Sequence, residues 1–335
     1  MKLSIGIVGM PNVGKSTLFK ALTNIPITIA NYPFATIDPN IGIVPVPDER
    51  LSKLAEMNKS AKVIPAVVEF YDIAGLVKGA NKGEGLGNQF LSHIRETQAI
   101  VQVVRVFKSD EIIHVDASVN PMRDIETINS ELQLKDLETI EKRLSKLEGE
   151  ARTGDKQKIK DLEIVNKIKS ELEAGKLLFT LPQELLGAEI LHELNLLTAK
   201  KQIYLLNGEP TDVSEELKNK IKELGADYLV VNLASNAGVY ELVKKAYEVL
   251  GLISFFTTGE DETRAWTIAR GTYAPQAAGV IHTDFEKKFI RAEVIQSDKL
   301  LEAGGWAKAK QKGWLRLEGK EYIFQDGDVT EIRHG

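Results

Sequence analysis

The sequence predicts an α/β protein built on a doubly wound, mostly parallel sheet, interrupted by a helical hairpin and followed by a small α+β module. Three observations predict it. Short runs dense in β-branched and aliphatic residues alternate with helical stretches before residue 124 and again after residue 200. Between about residues 124 and 176 that alternation gives way to apolar residues spaced three, four or five apart. Beyond residue 252 the segments shorten, and all three tryptophans, Trp266, Trp306 and Trp314, fall there.

In order along the chain, residues 3–8 read as a buried parallel strand and residues 16–23 as the helix that follows it. Further strands are expected over 63–71, 99–107, 202–206 and 228–233. Ile125, Ile128, Leu132, Leu137, Ile140, Leu144 and Leu147 lie on one helical stripe, and Ile159, Leu162, Val165, Ile168 and Leu172 on a second. The polar turn around Gly154 reverses the chain between them, giving an antiparallel coiled-coil hairpin. In the last module, "ISFFTTGEDETRAWTI" and "KKFIRAEVI" read as short strands and "KEYIFQDGDVTEI" as a hairpin turning at Asp326-Gly327. The expected division is 1–123 with 177–251 for the α/β domain, 124–176 for the hairpin and 252–335 for the last module.

With 335 residues, 43% hydrophobic and 27% charged, the composition is that of an ordinary globular protein. There is no cysteine, which removes disulfides, thiolate metal sites and thiol redox chemistry. Apolar runs such as 99–104 fall far short of the about 20 residues a bilayer needs. The opening residues read as strand and not as a signal or transit peptide. A cytoplasmic protein, a monomer, with neither membrane nor DNA as partner, is the expectation; the net charge of −5 is too mild to indicate one.

The stretch "GMPNVGKST", residues 9–17, satisfies G-x-x-x-x-G-K-[ST] between a predicted strand and a predicted helix. Its glycines let main-chain N–H groups and the helix N-terminus face phosphate oxygens. Asn12, Val13, Gly14, Lys15, Ser16 and Thr17 are the expected phosphate-binding residues. Lys15 brings a cation to the β- and γ-phosphates, and Ser16 a hydroxyl to Mg²⁺, which favours an octahedral oxygen shell. Downstream, Asp72 ends a strand where a carboxylate can hold that metal through water, and Gly75 can bring its N–H to the γ-phosphate. Thr36 is suited to be the second Mg²⁺ hydroxyl. Lys15 and Gly75 are the expected catalytic groups.

Together, "GMPNVGKST", "NYPFATIDPN", "DIAGLVKGANKGEGLGNQFL" and "DFEKKFIRAEV" closely resemble the YchF/Obg-like ATPase family over residues 1 to 330. The resemblance implies a P-loop G domain, an inserted helical coiled coil and a C-terminal TGS-like (β-grasp) domain. It further implies hydrolysis of ATP in preference to GTP, and association with ribosomes or ribosomal RNA.

The base reader departs from the family pattern. Guanine-specific relatives carry N-K-x-D and this family N-x-x-E, whereas here the strand ends "NGEP" at Asn207, Gly208, Glu209 and Pro210. No Lys or Asp completes a guanine reader. Glu209 has two readings at this stage, a base contact or a solvated turn residue. A second base-side loop, 232–238, is expected to use backbone groups of Ala234 and Ser235.

Ras-like proteins place a Gln after D-x-x-G to orient water; here Leu76 stands there. Residues 31–38 and 75–88 are the expected switches, with Asn81, Lys82, Glu84 and Asn88 as polar candidates. Asn12 admits a K⁺ ion between the β- and γ-phosphates, as in some related proteins. His93, Arg95 and Glu96 read as structural or surface residues of a helix.

Between residues 286 and 320 there are nine Lys/Arg against five Asp/Glu, and "WAKAKQKGWLR" interleaves aromatics with cations. Such a surface stacks on bases and neutralises phosphates, or is a solvated face with its tryptophans turned inward. Three functions are open: an ATP-hydrolysing switch on the ribosome, a GTP-specific translation GTPase, or an RNA-binding protein with a structural nucleotide.

Overall fold

The computed structural model describes residues 3–25, 40–72, 94–108, 119–235 and 238–335. The first strands are β1 (Ser4–Val8), β2 (Ile41–Pro45), β3 (Lys62–Ile64), β4 (Val67–Asp72), β5 (Ala99–Arg105), β6 (Lys201–Asn207) and β7 (Asp227–Val231). Six of them form one sheet in the order β2-β4-β1-β5-β6-β7. Its pairings are parallel except β2 against β4. β1 and β5 are buried along their whole length, as strands covered on both faces must be.

One face carries α1 (Lys15–Thr23), whose Leu18 and Leu22 share a core with Ile5 and Ile7. The expected single strand over 63–71 is two strands. Pro65 has no N–H for a ladder, and the residues before it leave this sheet for another. Strand β2 and the helix α2 (Glu49–Asn58) were not foreseen; among the described residues β2 is an edge strand paired with β4 alone, which lies 22 or more residues away.

The hairpin consists of α3 (Pro121–Ala151) and α4 (Lys156–Glu173). Asn120 caps α3 by accepting from the Arg123 N–H, and Asp155 caps α4 by accepting from Gln157 and Lys158. The expected boundaries at 124 and 176 do not follow the packing. Ile125, Ile128 and Leu132, in the first half of α3, pack against Ile100, Val104 and Tyr204 of the sheet. From Ile140 onward α3 packs on Val165, Ile168 and Leu172 of α4, in a core that also takes in Leu178, Ile190, Leu191 and Leu196. Helices α5 (Glu215–Glu223) and α6 (Val239–Val249) complete the α/β layers.

The last module holds β8 (Leu252–Thr258), β9 (Glu262–Ala269), β10 (Phe289–Gln296), β11 (Arg316–Glu318) and β12 (Asp328–His334). Its sheet runs β11-β10-β12-β8-β9-β3, so its last strand is lent by the α/β region. The hairpin expected over 320–332 does not form. Instead β12 pairs with β10 and touches β8, while the Asp326 carboxylate accepts from the Ser254 N–H at 3.0 Å. The final strand is thus interior, with Val329 fully buried. Among the described residues no helix is long and apolar enough to cross a membrane.

Candidate nucleotide-binding site

The loop after β1 is shaped by three left-handed residues: Gly9 at φ 148°, Asn12 at 62° and Gly14 at 110°. A Cβ at Gly9 would lie 2.4 Å from the Val103 carbonyl oxygen, and one at Gly14 2.5 Å from Asn207 Nδ2. Both positions therefore need glycine for space as well as for backbone angle. The loop hands the chain to α1, whose first turn leaves Ser16 and Thr17 exposed at the helix N-terminus.

Lys15 bends back over this loop, donating to the carbonyls of Gly9 at 3.0 Å and Met10 at 2.7 Å. Burial lowers its pKa from 10.5 to about 8, opposed by the nearby Asp72 carboxylate. Asp72 is 7% exposed, and its Oδ1 has no hydrogen-bond partner among the described residues. A buried carboxylate oxygen left unpaired is costly, and a metal-bound water is the partner that chemistry suggests. Ser16 and Asp72 fit an ion that keeps most of its shell as water and phosphate oxygens, as Mg²⁺ does. Among the described residues no cluster of three His, Cys, Asp or Glu forms an all-protein cage. Thr36, Gly75, Leu76, Asn81, Lys82, Glu84, Asn88 and His93 lie outside the described residues.

On the other side of the loop, Asn207 is a strut. Its Nδ2 donates to the Val13 carbonyl at 2.9 Å, and its Oδ1 accepts from the Leu233 N–H at 3.2 Å. It ties the phosphate loop to the loop after β7. Val13 enters through this carbonyl, its side chain being fully buried. Gly208 is set against Val106 and Asp212, where a Cβ would meet Val106 at 2.6 Å.

Glu209 is exposed, but it is not a free turn residue: its Oε1 accepts from Asn232 Nδ2 at 2.6 Å. The backbone donors expected to serve a base are already spent. The Ala234 N–H goes to Asn232 Oδ1 at 2.9 Å and the Ser235 N–H to the Asn232 carbonyl at 3.2 Å. An Asn directly after a strand often turns the chain this way, and that was the one available signal for Asn232, which sequence reasoning passed over.

Arg95 also departs from its surface reading. It donates to Thr139 Oγ1 at 2.7 Å and to the carbonyls of Leu194 and Asn195, bonding the turn before β5 to the base of the hairpin. In the last module the nine basic side chains between 286 and 320 are exposed. Trp306 and Trp314, however, pack partly against the core, and Lys312 covers the Trp314 ring at 4.2 Å. The tryptophans are held by the fold and are not open stacking platforms.

Residues 4–142 match the model of a family described as "50S ribosome-binding GTPase". Residues 252–335 match the YchF-GTPase C-terminal model, described as "Protein of unknown function (DUF933)". The ribosome-binding ATPase YchF of Bacillus subtilis is 46% identical over 99% of both chains. That of Escherichia coli O157:H7 is 44% identical, again over 99% of both. The structure of the Schizosaccharomyces pombe YchF GTPase superposes with a TM-score of 0.86 at 40% identity, covering 99% of this chain and 98% of that one. A cradle of glycines and one half-buried lysine, a carboxylate beside it whose Oδ1 has no partner among the described residues, and full-length likeness to these relatives agree: the chain belongs to the YchF family of P-loop proteins.

Proposed function

We propose that the protein is a Mg²⁺-dependent nucleoside triphosphatase that hydrolyses ATP, with GTP less favoured, and uses the nucleotide state to control binding to the ribosome. The observation that carries this reading is the phosphate cradle of residues 9–17, with Lys15 and Asp72 converging on it. Water adds to the γ-phosphorus, the bond to the β,γ-bridging oxygen breaks, and ADP and phosphate leave. Lys15 exchanges its two loop carbonyls for phosphate oxygens, steadying the charge that develops on them. Main-chain N–H groups of the loop and the first turn of α1 hold the rest of the triphosphate. Ser16, Thr36 and, through water, Asp72 would hold Mg²⁺, which would neutralise charge on the phosphates.

The relatives' names divide between ATPase and GTPase, so the base is assigned here from chemistry. Position 6 of guanine is a carbonyl that needs a donor, and the N–H groups of residues 233–235 are engaged within the protein. Position 6 of adenine is an amine that needs an acceptor, which the Glu209 carboxylate provides. The exposed cations of the last module support contact with RNA phosphates, and the curated relatives are named as ribosome-binding.

Calorimetric titration with MgATP and MgGTP tests the base, and phosphate release tests the turnover. ATP is expected to bind more tightly, with turnover abolished in Lys15→Ala. Equal or GTP-favoured affinity overturns the assignment, and ATP binding without turnover leaves a structural nucleotide. A K⁺ ion beside Asn12 is a further part of the proposal, and equal rates in K⁺ and Na⁺ buffers would dispose of it.

A further inference from the structure

The carboxylate of Glu209 is by itself an ambiguous reader. It accepts hydrogen bonds only, so it suits the 6-amino group of adenine or, from another angle, the N1–H and 2-amino edge of guanine. Its placement decides between them, and the placement comes from a second residue.

The side chain of Asn232 lies between the two halves of the base-side loop. Its Oδ1 accepts from the Ala234 N–H at 2.9 Å, which settles which end of the amide is oxygen. The opposite end is therefore a donor, and it points at Glu209 Oε1 from 2.6 Å. The Asn232 carbonyl is also committed, to the Ser235 N–H at 3.2 Å and to Ser235 Oγ at 3.0 Å. On the partner side, the Glu209 N–H donates to Asp212 Oδ2 at 2.9 Å, anchoring the backbone that carries the carboxylate. The next N–H back along the base-side loop, that of Leu233, is held by Asn207, the strut to the phosphate loop. Glu209 is exposed and would otherwise sample many rotamers. The Asn232 amide holds Oε1, and the Asp212 N–H faces the same carboxylate in a capping box, so that together they fix the direction of the lone pairs left for a base.

We infer that Asn232 is the positioning residue for base selection: it sets the Glu209 carboxylate toward position 6 of the purine, favouring a 6-amino over a 6-oxo base. The inference rests on the ATP reading above and names the pair of side chains that enforces it. Asn207 does not make this distinction, because its amide nitrogen is turned to the Val13 carbonyl and its oxygen to the Leu233 N–H. The Asn232–Glu209 pair can, because an amine at position 6 meets an acceptor whereas a carbonyl meets a negative charge with no backbone donor at 233–235 to offset it.

Inosine triphosphate locates the carboxylate. It has the 6-oxo group of guanine without the 2-amino group. The wild-type protein is expected to bind ITP as weakly as GTP, and ATP more tightly than either. In Asn232→Ala the ATP-to-GTP ratio of dissociation constants should move toward unity by about tenfold, the scale of one charge-assisted hydrogen bond. Glu209→Ala should do the same, and the double variant should go no further, because both changes remove one device. Asn232→Asp, which sets a carboxylate against a carboxylate, should lose selectivity at least as far.

Equal weakening of ATP, GTP and ITP in Asn232→Ala would mean a merely structural role and overturn the inference. So would an unchanged ratio in a variant that still binds nucleotide. GTP bound more tightly than ITP by the wild type would place the carboxylate at the 2-amino edge and sink it as well. A wild type that binds ATP and GTP alike would defeat the ATP reading and this inference together, whereas a selective wild type with a selective Asn232→Ala defeats the inference alone.

Discussion

Lys15 shows how a single residue carries opposite signs for folding and for binding. Burial lowers its pKa to about 8 from the 10.5 of a free lysine. Between those values the unfolded chain holds a proton that the folded chain has released, so the contribution of Lys15 to stability rises with pH. On the proposed reading phosphate binding needs the ammonium, so ATP affinity should instead fall as pH rises above about 8. Lys200 is buried against the carbonyls of Arg95 and Thr97 with its pKa also lowered to about 8, and it adds to the stability profile but not to the affinity profile. Titration of MgATP between pH 7 and 10 checks this: affinity should decline across the upper half of the range, and a flat profile would remove Lys15 as the phosphate cation. At this scale the loop proposed to hold phosphate was legible in the sequence, because Gly9, Gly14, Lys15 and Ser16 are close neighbours in one motif. The base side was less so. Glu209 and Asn232 are 23 residues apart, and their 2.6 Å contact exists only once β6 and β7 are paired.

At the scale of elements, the apolar periodicity located α3 and α4 but could not tell which neighbour each stripe faces. Ile128 and Ile140 look alike in the sequence, yet one packs on the sheet and the other on α4. The place where α3 leaves the sheet is marked by polar chemistry. Asp136 is fully buried, accepting from the Leu197 and Thr198 N–H groups at 2.8 and 2.7 Å and from Thr198 Oγ1 at 2.7 Å. Three residues on, Thr139 receives the Arg95 guanidinium. Removing a buried acceptor strands its donors, at a cost of about 1–3 kcal/mol for each unsatisfied group. Asp136→Ala should therefore destabilise the protein by about 3 kcal/mol, measured by urea denaturation. An exposed hairpin change such as Lys146→Ala should stay within about 0.5 kcal/mol. A loss below about 1 kcal/mol for Asp136→Ala would mean that α3 is held to residues 194–200 by its apolar stripe alone.

For the whole molecule, the last module looked separable, because composition changes near residue 252 and periodicity says nothing of what strands pair with. The structure joins it to the α/β domain at every level. Strand β3 lends residues 62–64 to its sheet beside β9. Arg50 of α2 donates to Asp326 at 2.7 Å while paired with Asp48, and its guanidinium lies over the Phe256 ring at 5.2 Å. Asn58 and Ser60 bond Thr258 and the Gly259 carbonyl at 2.6 Å each. Beneath these contacts, Leu51 and Leu54 share one continuous core with Phe256, Ala265, Ile295, Leu300 and Val329. An interface of that kind does not behave as a linker between independent domains. Residues 252–335 made alone would expose those side chains and the β9 edge that β3 covers, and should be unfolded or aggregated. In the intact chain the α/β sheet and the last module should melt in a single calorimetric transition, whose calorimetric and van't Hoff enthalpies agree for that unit. Arg50→Ala should lower its midpoint without splitting it, since the apolar core between the two sheets remains. Two resolved transitions, one of them reproduced by the isolated 252–335 fragment, would show that the shared core is too weak to couple them.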